Sequence, residues 1–265
     1  MEVNYNQYDL IVSESKDYYQ VCMNNSDVYV YGTSHFNSEH CASYINALTK
    51  IDQLHPDVIL VEGLAGGNCN NYLSGLSLMD GKEVLKKYGE STFFGWYAHI
   101  RGIQVFSPEP NICDEVSHIK AIGYSEDSIM LYMVSQFLHQ EKNLFKKKES
   151  PNDILQKYID FINSLDMFSE KYSVDYIIGC IKRICGQNNL EDYIKVVSRF
   201  CDPVYRVFDG KVHKEVINEI AREANLYRDF LIIEMLRSIT KINKKILVLF
   251  GASHVYVLKN ILERE

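Results

Sequence analysis

The sequence predicts an α/β fold with a mixed, mainly parallel sheet and a large all-helical insertion before the last strand. Before residue 110, short apolar strands alternate with helical segments, an order typical of parallel β-α-β units. From about 114 to 239 the periodicity is helical, with few glycines or prolines. An apolar run at 246–250 and a helix from Ser253 or Val255 complete the α/β part. We therefore expect a single α/β domain, 1–265, that contains this insertion.

The individual elements follow from local patterns. Strands are predicted where β-branched and aromatic residues are bounded by turn residues, and helices where apolar residues recur at spacings of three and four. The strands before the insertion are 8–13, 18–23, 28–31, 57–63 and 103–110, the first two forming a hairpin or an edge addition. The helices are 37–54, 72–100 with interruptions, 125–146, 152–164, 173–184, 190–200 and 213–239.

Composition indicates a globular protein without general affinity for nucleic acid or membranes. The chain has 265 residues, 46% of them hydrophobic and 24% charged, which is enough for a full core. A net charge of −7 opposes binding to nucleic-acid phosphates. No apolar run reaches the roughly 18 residues that span a bilayer, and the N-terminal segment does not resemble a signal peptide. On these two grounds we expect a cytoplasmic protein. Seven cysteines without a CxxC pair indicate reduced and mostly buried thiols.

Two stretches of the chain repeat one pattern, in which an apolar strand is followed by glycine, a small residue, serine and histidine. VYVYGTSH ends on His35, and LVLFGASH ends on His254. In a parallel sheet, ligands gather at the carboxyl ends of the strands, where helix N-termini point. Glycine permits close backbone approach there. Both histidines are therefore expected to project into one crevice.

Two glutamates occupy comparable places. Glu62 ends the apolar strand DVILVE, where a buried charge needs a partner, and Glu109 follows the strand IQVFS. A helix cap is the alternative role for Glu109. With the two histidines, these carboxylates suit either a divalent metal with open coordination positions or a His/Glu general acid-base pair. The residues alone leave both interpretations open.

Arg228 and Asp229 precede a strongly apolar helical face. Sequence alone favours an ordinary exposed ion pair at a helix start; the functional alternative is that Arg228 reaches the sheet edge as an electrophile or a carboxylate anchor. His99 is assigned a packing role beside Trp96. The serines that precede the two repeated histidines lie outside a GxSxG nucleophile elbow, which argues against a Ser-His-Asp hydrolase.

Together these motifs resemble the TraB/PrgY/TIKI family. The GTSH motif, the strand ending in VEG, the RD pair and the closing GASHVYVL occur in the family's order, while the helical middle is unmatched. The family belongs to a superfamily with erythromycin esterases and haem-binding ChaN-like proteins. The resemblance implies a sheet built from two related halves. In TIKI members it implies metal-dependent proteolysis supported by manganese or cobalt rather than zinc.

The resemblance also implies roles for particular residues. His35, His254 and Glu62 become metal ligands, and Glu62, Glu109 and Arg228 become catalytic residues. The expected function is a metal-dependent hydrolase of the peptidase type, acting on a peptide or a small molecule. Two alternatives are a metal-free esterase-like hydrolase in which His35 activates water, and a module that binds haem or another ligand without chemistry. The helical insertion is expected to serve as a lid, a substrate selector or the surface of a homo-oligomer.

Overall fold

The computed structural model describes most of the chain in two compact units. The described residues are 18–33, 42–64, 66–140, 150–203, 207–208, 211–212, 214–243 and 245–262. One unit comprises Met1–Asn111 and Arg228–Glu265, and the other comprises Ile112–Tyr227. Among the described residues, none of the helices combines the length and the hydropathy that a membrane span requires.

A six-stranded sheet forms the centre of the first unit. Its strands are β1 (Tyr18–Met23), β2 (Ser26–Thr33), β3 (Val58–Val61), β4 (Gly67–Asn68), β5 (Gln104–Ser107) and β8 (Lys245–Gly251). Their order is β1-β2-β8-β3-β5-β4. The four central strands are parallel, and the two edge strands pair antiparallel. The prediction of an α/β fold with a mixed, mainly parallel sheet is thus confirmed.

Helices pack against this sheet. They are α1 (Ala42–Leu54), α2 (Asn70–Ser74), α3 (Gly81–His99) and α11 (Ala252–Leu262). Asp80 caps α3, accepting a hydrogen bond from the Lys82 N–H at 2.7 Å. Gly89, with φ 84, interrupts the helical backbone of α3, as the sequence pattern suggests. Apolar residues of α1 and α3 pack with the inward faces of β3 and β8 in one buried cluster.

The second unit is mainly helical. It contains α4 (Ile112–Ile122), α5 (Glu126–Gln140), α6 (Pro151–Ser164), α7 (Val174–Cys185), α8 (Leu190–Val196) and α9 (Ser198–Cys201). Helix α10 (Val216–Ile239) begins in this unit and continues into the first at Arg228. Ser173 caps α7 at its start, and Gly186 ends it with φ 67.

The structure differs from the predicted elements in three places. A hairpin of β6 (Val207–Phe208) and β7 (Lys211–Val212) interrupts the insertion, so the prediction that it is all-helical is wrong there. Strand β4 was not predicted. Two-residue strands carry no readable periodicity. Helix α4 was also missed as a separate element. The predicted segments at 8–13, 37–41 and 141–146 lie outside the described residues.

The division between the units changes where the RD pair belongs. The insertion was expected to run to about 239, whereas the compact second unit ends at Tyr227, inside α10. A continuous helix gives no composition break at that point. Arg228 and Asp229 are therefore part of the α/β unit that carries the sheet.

Acid sensitivity of the second unit is expected to centre on Glu126. Its carboxylate accepts hydrogen bonds from Lys120 Nζ and Ser169 Oγ, each at 2.5 Å, and from the Ser169 N–H at 2.9 Å. The bond from Lys120, followed by those from Ser169, lowers the pKa of Glu126 from 4.5 to about 2. Because the pKa is lower in the folded state, the stabilisation is present above about pH 4.5 and is lost as the pH falls towards 2.

We expect Glu126→Gln to lower the free energy of unfolding by only about 1 kcal/mol at pH 6, because solvent screens this partly exposed site. The difference from wild type should shrink to less than about half at pH 3, where the carboxyl of Glu126 is already protonated in the unfolded chain although it stays mostly ionised in the folded protein. Urea unfolding of the whole chain at both pH values measures the effect. Glu170→Gln, at an exposed neighbour, is the control. A difference that stays the same at both pH values would contradict the assignment.

Candidate active site

The carboxyl ends of the parallel strands meet along one edge of the sheet. The last residue of β2, Thr33, pairs with Gly251 at the end of β8. On the other side of β8, Val61 pairs with Leu249, and the following Glu62 N–H donates to the Leu249 carbonyl at 3.3 Å. Glu62 and the residues after Gly251 are consequently at adjacent strand ends.

His254 lies at the start of α11, three residues beyond the end of β8, and is only 2% exposed. Its Nδ1 is 2.7 Å from Oδ1 of Asp229 in α10, a residue with no exposed surface. Its Nε2 faces Oε1 of Glu62 at 3.9 Å, which is too long for a hydrogen bond. The Phe250 ring packs edge-on against the imidazole with ring centroids 5.7 Å apart. His254 is therefore held between two carboxylates in a buried setting.

Asp229 determines how His254 presents its ring. A carboxylate at Nδ1 requires an N–H there, so the other ring nitrogen, Nε2, is directed towards Glu62. Burial lowers the pKa of His254, but the charge and hydrogen bond of Asp229 and the charge of Glu62 outweigh this effect. Arg228 opposes them, and the resulting pKa is raised from 6.5 to about 9. Without a metal, the imidazole is therefore expected to be protonated at neutral pH.

Glu62 is oriented by the backbone of the neighbouring strand. Its Oε2 accepts a hydrogen bond from the Gly251 N–H at 2.6 Å. This leaves Oε1 as the oxygen that faces Nε2 of His254. The last residue of β8 thus positions the carboxylate that follows β3, so the two strand ends form one polar centre.

Glu109 and Arg228 form an ion pair in the same unit. Arg228 Nε lies 3.3 Å from Glu109 Oε2, and the arginine side chain is 30% exposed while the glutamate is mostly buried. The Ser107 hydroxyl donates to the Leu64 carbonyl at 3.1 Å and accepts from the Glu109 N–H at 3.4 Å. A Cβ at Gly66 would lie 2.5 Å from the Glu109 carbonyl oxygen. Only glycine permits this approach, which ties the loop after β3 to the backbone of Glu109.

The favoured sequence interpretation of the RD pair is wrong. Asp229 is fully buried and bonded to His254, and Arg228 is paired with Glu109 rather than exposed beside Asp229. The signal that reveals Asp229 is helical spacing. It lies three, four and seven residues before Ile232, Ile233 and Leu236, all of which are buried. A carboxylate on that face requires a partner, although the sequence does not show which one.

The structure brings together some of the predicted site residues, while one lies outside the described part of the chain. Glu62 and His254 face each other, and Arg228 is near enough to lower the pKa of His254. Glu109 is joined to this group through Arg228. His35 lies outside the described residues; the last described residue before it, Thr33, pairs with Gly251.

A divalent metal can be tested against these donors. In the described part of the chain, no group of three or more His, Cys, Asp or Glu side chains is placed to hold an ion. Two donors, His254 Nε2 and Glu62 Oε1, are 3.9 Å apart. Donors that each bond an ion at about 2.1 Å can be separated by up to about 4.2 Å. Imidazole nitrogen and carboxylate oxygen are both ordinary ligands of manganese, cobalt and zinc, so the pair supplies two donors of suitable chemistry within reach of one ion.

Comparisons of the chain with protein-family models, with curated proteins and with solved structures give no match. The resemblance to the TraB/PrgY/TIKI family therefore stays a prediction that depends on short motifs.

Proposed function

We propose that this protein is a cytoplasmic metal-dependent hydrolase of the peptidase type, centred on His254 and Glu62. The observation that supports it best is the arrangement around His254. Asp229 holds Nδ1 at 2.7 Å, while Nε2 faces a carboxylate oxygen at 3.9 Å. Carboxylate-oriented histidines of this kind are common at metal sites and increase the basicity of the ligating nitrogen.

His254 Nε2 and Glu62 Oε1 would hold the ion, with His35 as the third ligand that the family resemblance implies. A bound divalent ion would polarise a substrate carbonyl and lower the pKa of a water molecule. Asp229 keeps the imidazole in one tautomer, and the Gly251 N–H keeps Oε1 of Glu62 directed at it. Both ligands are thus fixed before an ion or substrate arrives, which reduces the cost of organising them.

Glu109 and Arg228 supply the remaining polar groups. Glu109 is the carboxylate proposed to accept a proton from the attacking water, since Glu62 is used as a ligand. Arg228 orients Glu109 through the 3.3 Å ion pair. Because the arginine is partly exposed, its positive charge is available to a substrate carbonyl or carboxylate.

A metal titration of hydrolysis tests the proposal. Chelator-treated protein is supplied with manganese or cobalt while cleavage of a mixture of internally quenched peptides is followed. Cleavage is expected to appear with the metal and to saturate near one ion per chain. In Glu62→Gln, the metal concentration for half-maximal cleavage should rise at least tenfold, because a neutral amide is a weaker ligand. Glu83→Gln, in the first turn of α3, is the matched control and should behave as wild type.

Cleavage that is unchanged by the chelator would overturn the metal-dependent proposal and favour the metal-free esterase-like alternative. Absence of cleavage with every metal, in protein that binds the metal stoichiometrically, would overturn the hydrolase assignment. It would favour a module that binds ligands without chemistry.

A further inference from the structure

A second polar group of residues lies at the side of the sheet where the edge strand β4 pairs with β5. We propose that Ser74 is a nucleophilic serine, activated by His99, that accepts acyl groups from esters with good leaving groups. Ser74 is the last residue of α2, and His99 is the last residue of α3. This activity is independent of the proposed metal site.

The side chains of Ser74, His99 and Asn70 form a continuous chain of contacts, with His99 in the middle. His99 Nε2 lies 3.1 Å from Ser74 Oγ, and His99 Nδ1 lies 3.2 Å from Asn70 Oδ1. A hydroxyl, an imidazole and a third group that orients the imidazole are the components that activate a nucleophile in serine and cysteine hydrolases. The packing role beside Trp96 that the sequence suggested for His99 does not account for these contacts. The Trp96 indole N–H instead donates to the Leu76 carbonyl at 3.1 Å.

Hydrogen bonds around Asn70 indicate which tautomer His99 adopts. Asn70 Nδ2 donates to Asn68 Oδ1 at 2.8 Å, and Asn70 Oδ1 accepts from the Val105 N–H at 3.3 Å. The amide orientation is thus set by a donor on one side and an acceptor on the other. Since Oδ1 can only accept, Nδ1 of His99 must donate to it. In the neutral imidazole, Nε2 then presents its lone pair to the Ser74 hydroxyl.

The edge strand explains why Asn70 is available for this role. Strand β4 pairs with β5 only at Phe106 and Ser107. One residue earlier, the backbone of Val105 bonds to Cys69 N–H through its carbonyl and to the Asn70 side chain through its N–H. The end of β4 therefore fixes the side chain that orients His99.

The Ser74 hydroxyl can donate its one proton to either of two acceptors, His99 Nε2 or a backbone carbonyl. It also lies 2.8 Å from the Asn70 carbonyl, one turn earlier in α2. Rotation about the C–O bond directs the proton to either acceptor without moving the oxygen. Ser74 is exposed and His99 is half-buried, so a small ester can reach the hydroxyl oxygen.

Ser74 and His99 account for every bond change and proton transfer in the proposed acyl transfer. Ser74 Oγ attacks the ester carbonyl carbon while its proton passes to His99 Nε2; the carbon–oxygen bond to the leaving group breaks, and that oxygen takes the proton from His99. Water then attacks the acyl-serine, gives its proton to His99, and releases the carboxylic acid as Ser74 regains a proton. The N–H groups of Gly75 and Leu76 donate to backbone carbonyls at 3.2 and 2.9 Å. Both amides are therefore already hydrogen-bonded and do not serve as donors to the oxyanion that forms when Ser74 attacks. For this reason the site is expected to act on activated esters such as phenyl esters.

The test uses the full chain in the presence of a chelator, which separates this activity from metal-dependent hydrolysis. A fluorophosphonate probe should label Ser74, as located by peptide mass spectrometry, and p-nitrophenyl acetate should be hydrolysed. Ser74→Ala should abolish the label and the hydrolysis that passes through the acyl-serine, and His99→Gln should lower both rates by about 100-fold, the usual contribution of a positioned base. Ser77→Ala, at an exposed serine that donates to the Ser74 carbonyl at 2.8 Å, is the control and should retain both activities.

Labelling of another residue, or unchanged rates in folded Ser74→Ala, would overturn this inference.

Discussion

Asp229→Ala is expected to lower the free energy of unfolding by about 3–5 kcal/mol, the largest stability change predicted for a single side chain of this protein. Asp229 has no exposed surface, and its carboxylate lies 2.7 Å from the buried His254 imidazole. Its removal leaves a buried imidazole without the partner that contributes most to raising its pKa. Urea unfolding at pH 7 with a chelator present measures the protein without stabilisation by metal binding.

Two further variants isolate the cause of this effect. Asp52→Ala removes an exposed carboxylate paired with Arg101 at 2.8 Å and should cost no more than about 1 kcal/mol. Asp229→Ala combined with His254→Ala should be less destabilised than the sum of the single variants, by about 1–3 kcal/mol, since both members of the pair are gone. A cost below about 1 kcal/mol for Asp229→Ala, or strict additivity, would contradict the interpretation of this pair.

His254→Asn is expected to lower the rate of peptide cleavage by at least about 1000-fold, as the loss of a central catalytic group does in other hydrolases. The asparagine amide can donate to Asp229 where Nδ1 did, but it has no atom in place of Nε2. The variant therefore removes the proposed metal ligand while keeping the buried hydrogen bond. Initial cleavage rates on quenched peptides, with manganese or cobalt in excess, measure the effect.

His55→Asn is the matched control for that variant. His55 is exposed and has φ 44, a backbone conformation that asparagine tolerates, and it precedes β3, whereas Glu62 follows that strand. It should cleave at the wild-type rate. Cleavage by folded His254→Asn within tenfold of wild type would show that Nε2 is not part of the mechanism.

Local sequence patterns predict the parts of the site that depend on strand ends. Apolar runs that stop at glycine or glutamate predicted that Glu62 and His254 lie at neighbouring carboxyl ends, and the structure brings them within 3.9 Å. The parallel arrangement of the central strands follows from the same alternation of strands and helices, whereas the strand order, with β8 between β2 and β3, was not predicted. The two related halves that the family resemblance implies stay a prediction.

Tertiary contacts account for what sequence did not predict. Asp229 bonds to a histidine 25 residues later, and Arg228 bonds to Glu109 from an earlier strand end; neither spacing is periodic within one element. The end of the helical unit at Tyr227 is hidden because α10 continues through it. Ser74 and His99 meet only because two helix ends converge, so no local motif marks them.

Metal binding by the purified chain tests the central claim most directly. Wild type, His254→Asn and His55→Asn are purified without a metal-affinity tag, incubated with manganese or cobalt, freed of unbound ions by gel filtration and analysed by mass spectrometry. The account predicts about one ion per chain in wild type and His55→Asn, and at least a tenfold weaker affinity in His254→Asn. Equal metal content in wild type and folded His254→Asn, or none in wild type, would contradict a metal centre at His254 and Glu62.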